Sequence, residues 1–577
     1  MEFRGPWADV EIPDATLHEL IFEGLTADDA QRLAFIHAEN GTQVTFGELS
    51  AQIDSIATWL ACRGVGRGGV VGIAMANRPE YAAAFHGILR AGAAVTPVNV
   101  AAHALEIGRQ LTLTGASAVF TTADLVETVA QAATAAGLSV DALVIVDGDA
   151  GPHRAWADVL STHADPPVVQ IDPAHDVACM PMSSGPSGLP KAVLLSHTNL
   201  VANMLQWKQA LPGFGRGDSL VAFLPYSHIY ALTTNLNSGL HQRITQLTMS
   251  GFQAHLFLDI VGRLRPSMAF VVPPVAAFLA KNRAVGTTDW SSVKVIVSGA
   301  ASLDQLVGDA VEERLDTRLV QGYGMTELSP VSHLTPLDRP DVGTGTIGLP
   351  LPNVSMRVVD PATGRDVPAP TDGWSQPGEL WVKGPNTMLG YLGNEQATTE
   401  TIVDGWVRTG DLVQVDAEGV TRVVDRVKEL IKRRGFQVAP VELEALLVTH
   451  PLVDDAAVLG VEHRDGDQVP FALVVLAAEA TEADATDGRG PDEVAREVVA
   501  WFNAQVSQYK HLGGATVVAA IPRSSAGKIL RRELPGLLVR PRGRWGSPGL
   551  LWGKGIGRVS RDDAFGGAGI FSILKDS

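Results

Sequence analysis

Residues 182–197 read MSSGPSGLPKAVLLSH. Small and hydroxyl-bearing residues crowd together, glycines stand on either side of Pro186, and Lys191 follows. A phosphate-binding loop needs such a mixture: backbone N–H groups free to turn inward, hydroxyls to donate, and a cation close by. The spacing is not that of the common nucleotide loop, in which Gly-Lys-Ser/Thr opens a helix. Here Leu189 and Pro190 separate Gly188 from Lys191, and Ala192 follows the lysine. Apolar runs on both sides, DVACMPM before and AVLL after, make the loop a link between two strands. A helix over NLVANMLQWKQAL then starts with Thr198 as its expected N-cap. With no helix dipole behind it, the loop would grip phosphate through backbone amides, Ser183, Ser184, Ser187 and Lys191. Taken alone, the segment fits a solvated hairpin loop equally well.

The rest of the chain sets the bounds. Its 577 residues exceed what one core organises, so at least two domains are expected. A net charge of −18 argues against a nucleic-acid or anionic-membrane surface. Cys62 and Cys179 are the only cysteines, which points to a reducing compartment without a disulfide framework. The opening MEFRGPWADVEIPD has no apolar core, and no uncharged apolar run approaches the ~18 residues of a membrane span. A cytoplasmic protein is the expectation.

Up to about residue 330, helical patterns (AQIDSIATWLACRGV, RPEYAAAFHGILRAG, PPVAAFLAKN) alternate with apolar runs (GGVVGIAMAN, AAVTPVNV, MAFVVPP, VKVIVSGAA). This alternation predicts an α/β unit with mostly parallel sheets. From about 340, short strands (NVSMRVVD, GELWVKG, VTRVVDR) divided by turn residues predict a small β subdomain. After a charged stretch at Asp425 to Lys428, VELEALLVTH, DDAAVLGV, FALVVLAAE, DEVAREVVAWFNAQV and GATVVAAI form a separate α+β set. The expected domains are 1–424 and 425–534. Residues 535–577, rich in Gly and Arg with no sustained period, read as a disordered tail.

Further segments resemble site loops. QGYGMTELSP (321–330) brings an aromatic that can stack on a purine, a threonine that can donate to phosphate and a glutamate that can hold Mg²⁺. RTGDLVQVDAEG offers Asp411 for two vicinal hydroxyls, and RSSAGKILRREL carries Lys528 beside a glycine.

Together with LPYSHIYAL, VSGAASL, GELWVKGP, WVRTGDL and VDRVKELIKRRGFQVAPVELEALL, these segments resemble the adenylate-forming superfamily, and within it 4-coumarate:CoA ligases and related acyl-CoA ligases. The likeness spans roughly residues 15–534. It implies ATP, Mg²⁺ and coenzyme A as cofactors and a small carboxylic acid as substrate. It also implies a large N-terminal domain and a mobile C-terminal lid that rotates at a hinge matched by Lys428. By resemblance, Ser183, Ser184, Gly185, Ser187, Gly188 and Lys191 wrap the β- and γ-phosphates. Gly299, Ala300, Ala301 and Tyr323 cradle the adenine, Gln321, Gly322 and Gly324 belong to the nucleotide site, and Thr326 contacts phosphate. Glu327 carries Mg²⁺, Asp411 takes the ribose hydroxyls, and Arg426 reaches ribose or phosphate. Lys528 serves adenylation; Lys432 and Gln437 serve thioester formation. The bland alternative for Lys432 is a solvated helix face. Ser227, His228, Gly324, Pro330 and Val331 line the acyl pocket, sized for an aryl group such as a hydroxycinnamate or for an alkyl chain. Luciferase-like chemistry, loading of a carrier protein in trans and a non-catalytic ATP-binding role are the alternative readings. One departure stands out: where the family loop usually reads Ser/Thr-Ser-Gly-Thr-Thr/Ser-Gly-x-Pro-Lys-Gly, this chain has Pro186 for a threonine and Ala192 for the last glycine.

Overall fold

The computed structural model describes residues 2–162, 165–183, 190–426, 429, 431–433, 436–462, 468–477, 490–524 and 527–538. The chain divides into two compact units: residues 1–428 with 525–528, and 429–524 with 529 onward.

In the first unit the near-continuous apolar runs form two sheets of nine strands each. Such runs suit strands buried on both faces. One sheet pairs Val70–Ala74, Ala94–Pro97, Ala118–Thr121 and Leu143–Ile145 in parallel. Lys191–Ser196 joins it antiparallel to Val177–Cys179. The other runs parallel through Leu33–His37, Thr245–Thr248, Ser219–Ala222, Met268–Val271, Val295–Ser298 and Arg318–Gly324. It then turns antiparallel at Val331–Leu334. Pro79 opens the helix Pro79–Arg90, where its missing N–H costs nothing. That helix is buried along most of its length, with Tyr81 and Phe85 fully enclosed. One continuous apolar cluster reaches from Phe3 to Val415, so these sheets share a core.

The expected β subdomain is an antiparallel sheet in which Ser355–Val359, Gly378–Lys383, Trp406–Val415 and Thr421–Arg426 are neighbours. The second unit has its own core around Leu443, Leu447, Val458, Val498 and Phe502. There the strands Val453–Glu462 and Gln468–Leu476 pair antiparallel, and Ala515–Val517 adds in parallel. Arg531 knits this unit: its guanidinium donates to Glu429 and Glu444 at 2.6 Å each and to the carbonyl of Val458 at 2.8 Å.

Two expectations need correction. The helix after the loop is His197–Ala210, and Ser196 caps it, not Thr198. Ser196 Oγ accepts from Asn199 N while Asn199 Oδ1 accepts from Ser196 N, a reciprocal box; the N–H of Thr198 goes instead to Pro173 O. Lys432 lies on no helix. It sits in the strand Ile431–Arg433, directly opposite Gln437 in Phe436–Val438.

Candidate functional site

Two neighbouring parallel strands, Val295–Ser298 and Arg318–Gly324, end side by side, with Ser298 opposite Gln321. Their carboxyl ends carry Gly299–Ala301 and Tyr323–Thr326, and the carboxyl ends of such strands are where α/β folds place ligands. Gly299 lies against the ring of Tyr230, whose nearest carbon is 2.9 Å from where a Cβ would stand. Gly324 is equally constrained, because an added Cβ would fall 2.0 Å from Pro330 O. Ala300 holds φ +70°, a left-handed conformation uncommon for a residue with a side chain.

The segment from Thr326 to Val331 is fixed by side chains that sequence reading passed over. Thr233 donates to Ser329 O at 2.8 Å, and Asn386 donates to Leu328 O at 2.7 Å. Asn203 both donates to and accepts from the backbone of Val331. Gln321 is spent on structure: its side chain accepts from Leu303 N and donates to Thr346 O, at 3.1 Å each. Gly322 faces Leu334 across the antiparallel pair.

Two buried carboxylates anchor the site. Tyr323 Oη donates to Asp411 Oδ2 at 2.5 Å. Asp411 pairs in register with Arg426 of the neighbouring strand. Glu327 Oε1 accepts from Ser183 Oγ and from Tyr391 Oη, both at 2.8 Å. Lys191 Nζ stands 4.7 Å from the centre of the Tyr391 ring. Ser183, the acid of the TEL turn, Lys191 and an unforeseen tyrosine thus form one cluster. Burial, and after it the Glu327 carboxylate, push the Tyr391 phenol well above its ordinary pKa, so it remains a hydrogen donor.

His228 caps the short helix Ile229–Ala231, accepting from Tyr230 N at 3.3 Å. Burial, then the charge of Lys528, lower its pKa to about 4. It is therefore neutral near pH 7. Ser227 precedes it, half-buried. Lys528 groups with the first unit. Lys432 and Gln437 are brought opposite each other by the hairpin. Ser184, Gly185, Ser187, Gly188 and Lys428, the expected hinge, lie outside the described residues.

Among the described residues no three His, Cys, Asp or Glu gather as a metal site. Mg²⁺ does not need such a group, since it is commonly held by one or two carboxylates plus substrate phosphates. Glu327 fits that use: among the described residues both hydroxyl donors fall on Oε1, leaving Oε2 open.

Comparison with known proteins decides the family. The AMP-binding enzyme family matches residues 24–392, and the AMP-binding enzyme C-terminal domain matches 442–528. The chain belongs to the AMP-binding enzyme family. It is thus an adenylate-forming, ATP-dependent ligase. It is 36% identical to 4-coumarate–CoA ligase 5 of Oryza sativa subsp. japonica, the match covering 92% of this chain and 96% of the relative. Identity to the 4-coumarate–CoA ligase of Pinus taeda is also 36%, over 92% of this chain and 97% of the relative. The fold matches crystalline ATP-bound MatB from Rhodopseudomonas palustris with a TM-score of 0.79 at 27% identity, covering 91% of this chain and 99% of the other. No helix among the described residues is long and apolar enough to cross a membrane.

Proposed function

We propose that this enzyme joins a carboxylic acid to coenzyme A in two steps, and that the acid is a flat aryl acid of the hydroxycinnamate type. The observation that carries the reading is the Glu327 cluster, where a hydroxyl at the foot of the loop and the acid of the TEL turn meet beside a lysine. The names of the rice and pine relatives support the aryl acid.

In the first step a carboxylate oxygen attacks the α-phosphorus of ATP. The bond to the β-phosphate oxygen breaks, pyrophosphate leaves, and an acyl-adenylate forms. Two anions must meet, so the chain's task is to place cations and donors where they meet. Lys191 and the loop hold the outer phosphates, Lys528 screens the reacting oxygens, and Asp411 accepts from the ribose hydroxyls. A magnesium ion on Glu327 would neutralise charge on the phosphates. Neutral His228 lines the acyl pocket without adding charge to it. In the second step the CoA sulfur attacks the acyl carbon, and the bond to AMP breaks. Lys432 and Gln437 serve this step after the lid has turned at Lys428.

The test is acid-dependent pyrophosphate exchange and thioester formation with CoA, run on a panel of hydroxycinnamates, benzoates and fatty acids. Hydroxycinnamates are expected to give both activities with the highest kcat/KM. Lys528→Ala should suppress exchange, whereas Lys432→Ala should spare exchange and slow thioester formation from preformed adenylate. Exchange without thioester would move the acceptor to a carrier protein or to oxygen. No exchange with any acid would leave an ATP-binding protein without this catalysis.

A further inference from the structure

We infer that Tyr391 is a positioning residue that holds Glu327 and Lys191 apart, so that neither charge is consumed by the other before MgATP binds. The inference rests on the proposed nucleotide role of these two residues.

A buried carboxylate and an ammonium close to one side chain would be expected to pair directly, because their attraction strengthens away from water. They do not: among the described residues no ion pair joins Lys191 to Glu327, although both reach Tyr391. The tyrosine supplies each with a different partner. Its hydroxyl donates to Glu327 Oε1 at 2.8 Å. Its ring lies 4.7 Å below Lys191 Nζ, within the ~6 Å reach of a cation–π contact. Ser183 adds the second hydroxyl to the same Oε1, so both donors leave Oε2 available to a metal ion.

The ring is placed by the fold. Gly390–Tyr391 pairs with the strand that begins at Lys191, Tyr391 standing opposite Val193. Leu389 N donates to Leu194 O and Leu392 N to Ala192 O, at 2.9 Å each. Tyr391 N donates to Thr398 Oγ1 at 2.9 Å. Gly390 has φ +149°, and a Cβ there would meet Thr398 at 2.8 Å. The tyrosine is thus clamped between two anchored neighbours, with little freedom to follow either charge.

The experiment is calorimetric binding of MgATP to the full chain, with Mn²⁺ resonance spectra in the presence of ATP as a reading of the metal site. Tyr391→Phe keeps the ring and loses the hydroxyl; MgATP binding should weaken about threefold, with thermal stability close to the parent's. Tyr391→Leu loses both contacts and should weaken binding about tenfold or more. It should also broaden the Mn²⁺ signal as Glu327 engages Lys191, while the KM for the acid stays unchanged. Lys191→Met should cost far less when combined with Tyr391→Leu than in the parent, because the lysine is already misplaced in that variant. Multiplicative losses, or an unchanged Kd in Tyr391→Leu, would overturn the inference. A parent chain that fails to bind MgATP at all would overturn the nucleotide reading beneath it.

Discussion

Two tyrosines each hand a phenolic hydrogen to a buried carboxylate, Tyr323 to Asp411 and Tyr391 to Glu327. Their surroundings differ. Tyr391 has an ammonium over its ring face. Tyr323 has the edge of an imidazole, with His333 at 5.8 Å between centroids. That imidazole is neutral, since burial lowers its pKa to about 3. One pair therefore stands beside an ammonium, and the other beside a neutral imidazole, on a strand where Asp411 is in register with Arg426. The same phenol–carboxylate unit is thus set among different neighbours.

Acid is the strongest way to break this contrast, because it demands a charge beside Tyr323 and asks nothing of the ammonium beside Tyr391. His333 shares its condition with other buried imidazoles. Burial lowers His18 to about 3 and His197 to about 4, and holds His86 well below its ordinary value. The sign follows from linkage. The folded pKa lies below the unfolded value near 6.5, so the unfolded chain binds protons first as pH falls. Stability is complete above about 6.5 and is lost on the way down to about 4 for His197 and about 3 for His333 and His18. Each such histidine costs ~1.4 kcal/mol per pH unit inside that window. Several acting together approach the whole stability of a typical domain. Cooperative unfolding between about pH 6 and 5 is expected, and His333→Asn should move the midpoint to lower pH. A midpoint that does not respond to His333 would show that it is not among the groups being titrated.

The next effect separates the carboxylates themselves. Glu327→Gln removes the charge proposed to face the metal, and kcat/KM for ATP should fall by about 10²–10³. Asp411→Asn keeps a side chain that can still accept from a ribose hydroxyl, and a fall of roughly tenfold to a hundredfold is expected. Raising the Mg²⁺ concentration should rescue part of the Glu327 variant's loss and none of the Asp411 variant's. Equal rescue would dissolve the contrast between the two pairs.

How far this was legible in the sequence differs between the pairs. Tyr323 announces itself in QGYGMTELSP, and Asp411 in RTGDL. The parallel strands were legible too, because runs such as VKVIV have no polar residue to face solvent beyond the lysine at their edge. Tyr391 gave no such signal. It lies in a two-residue strand, and it reaches Glu327 and Lys191 only through pairing with a strand distant in the chain. Asn203, Thr233 and Asn386 were silent for the same reason, since each acts on a backbone carbonyl that only the folded chain brings near. The helix cap was misplaced by two residues because Ser196 and Thr198 both satisfy the local rule, and only the reciprocal bond to Asn199 separates them. For Lys432 the charged run around it hid a strand alternation too short to read.

The smallest expected effect concerns the departures of the 182–192 segment from its relatives. Ala192, where related loops carry glycine, is accounted for. It lies in the strand Lys191–Ser196, buried and opposite Met182, where the extended backbone accepts a Cβ. Pro186 lies outside the described residues, and its effect follows from the chemistry of proline itself. Proline has no N–H and fixes φ near −65°. Replacing the usual threonine removes a hydroxyl as well, so up to two donors to a charged phosphate are absent. Each such bond contributes about 1.5–3 kcal/mol. Pre-ordering of the loop by proline offsets less than that, about 0.4–1 kcal/mol. Ser183 spends its hydroxyl on Glu327 and does not compensate. Pro186→Thr should therefore raise kcat/KM for ATP, by roughly tenfold or more, through a lower KM and with the acid's KM unchanged. Initial rates of pyrophosphate exchange across ATP concentrations check it. Unchanged or poorer ATP kinetics would mean that the outer phosphates are gripped from the Lys191 and Tyr391 side of the site, and that the loop contributes less than its composition implies.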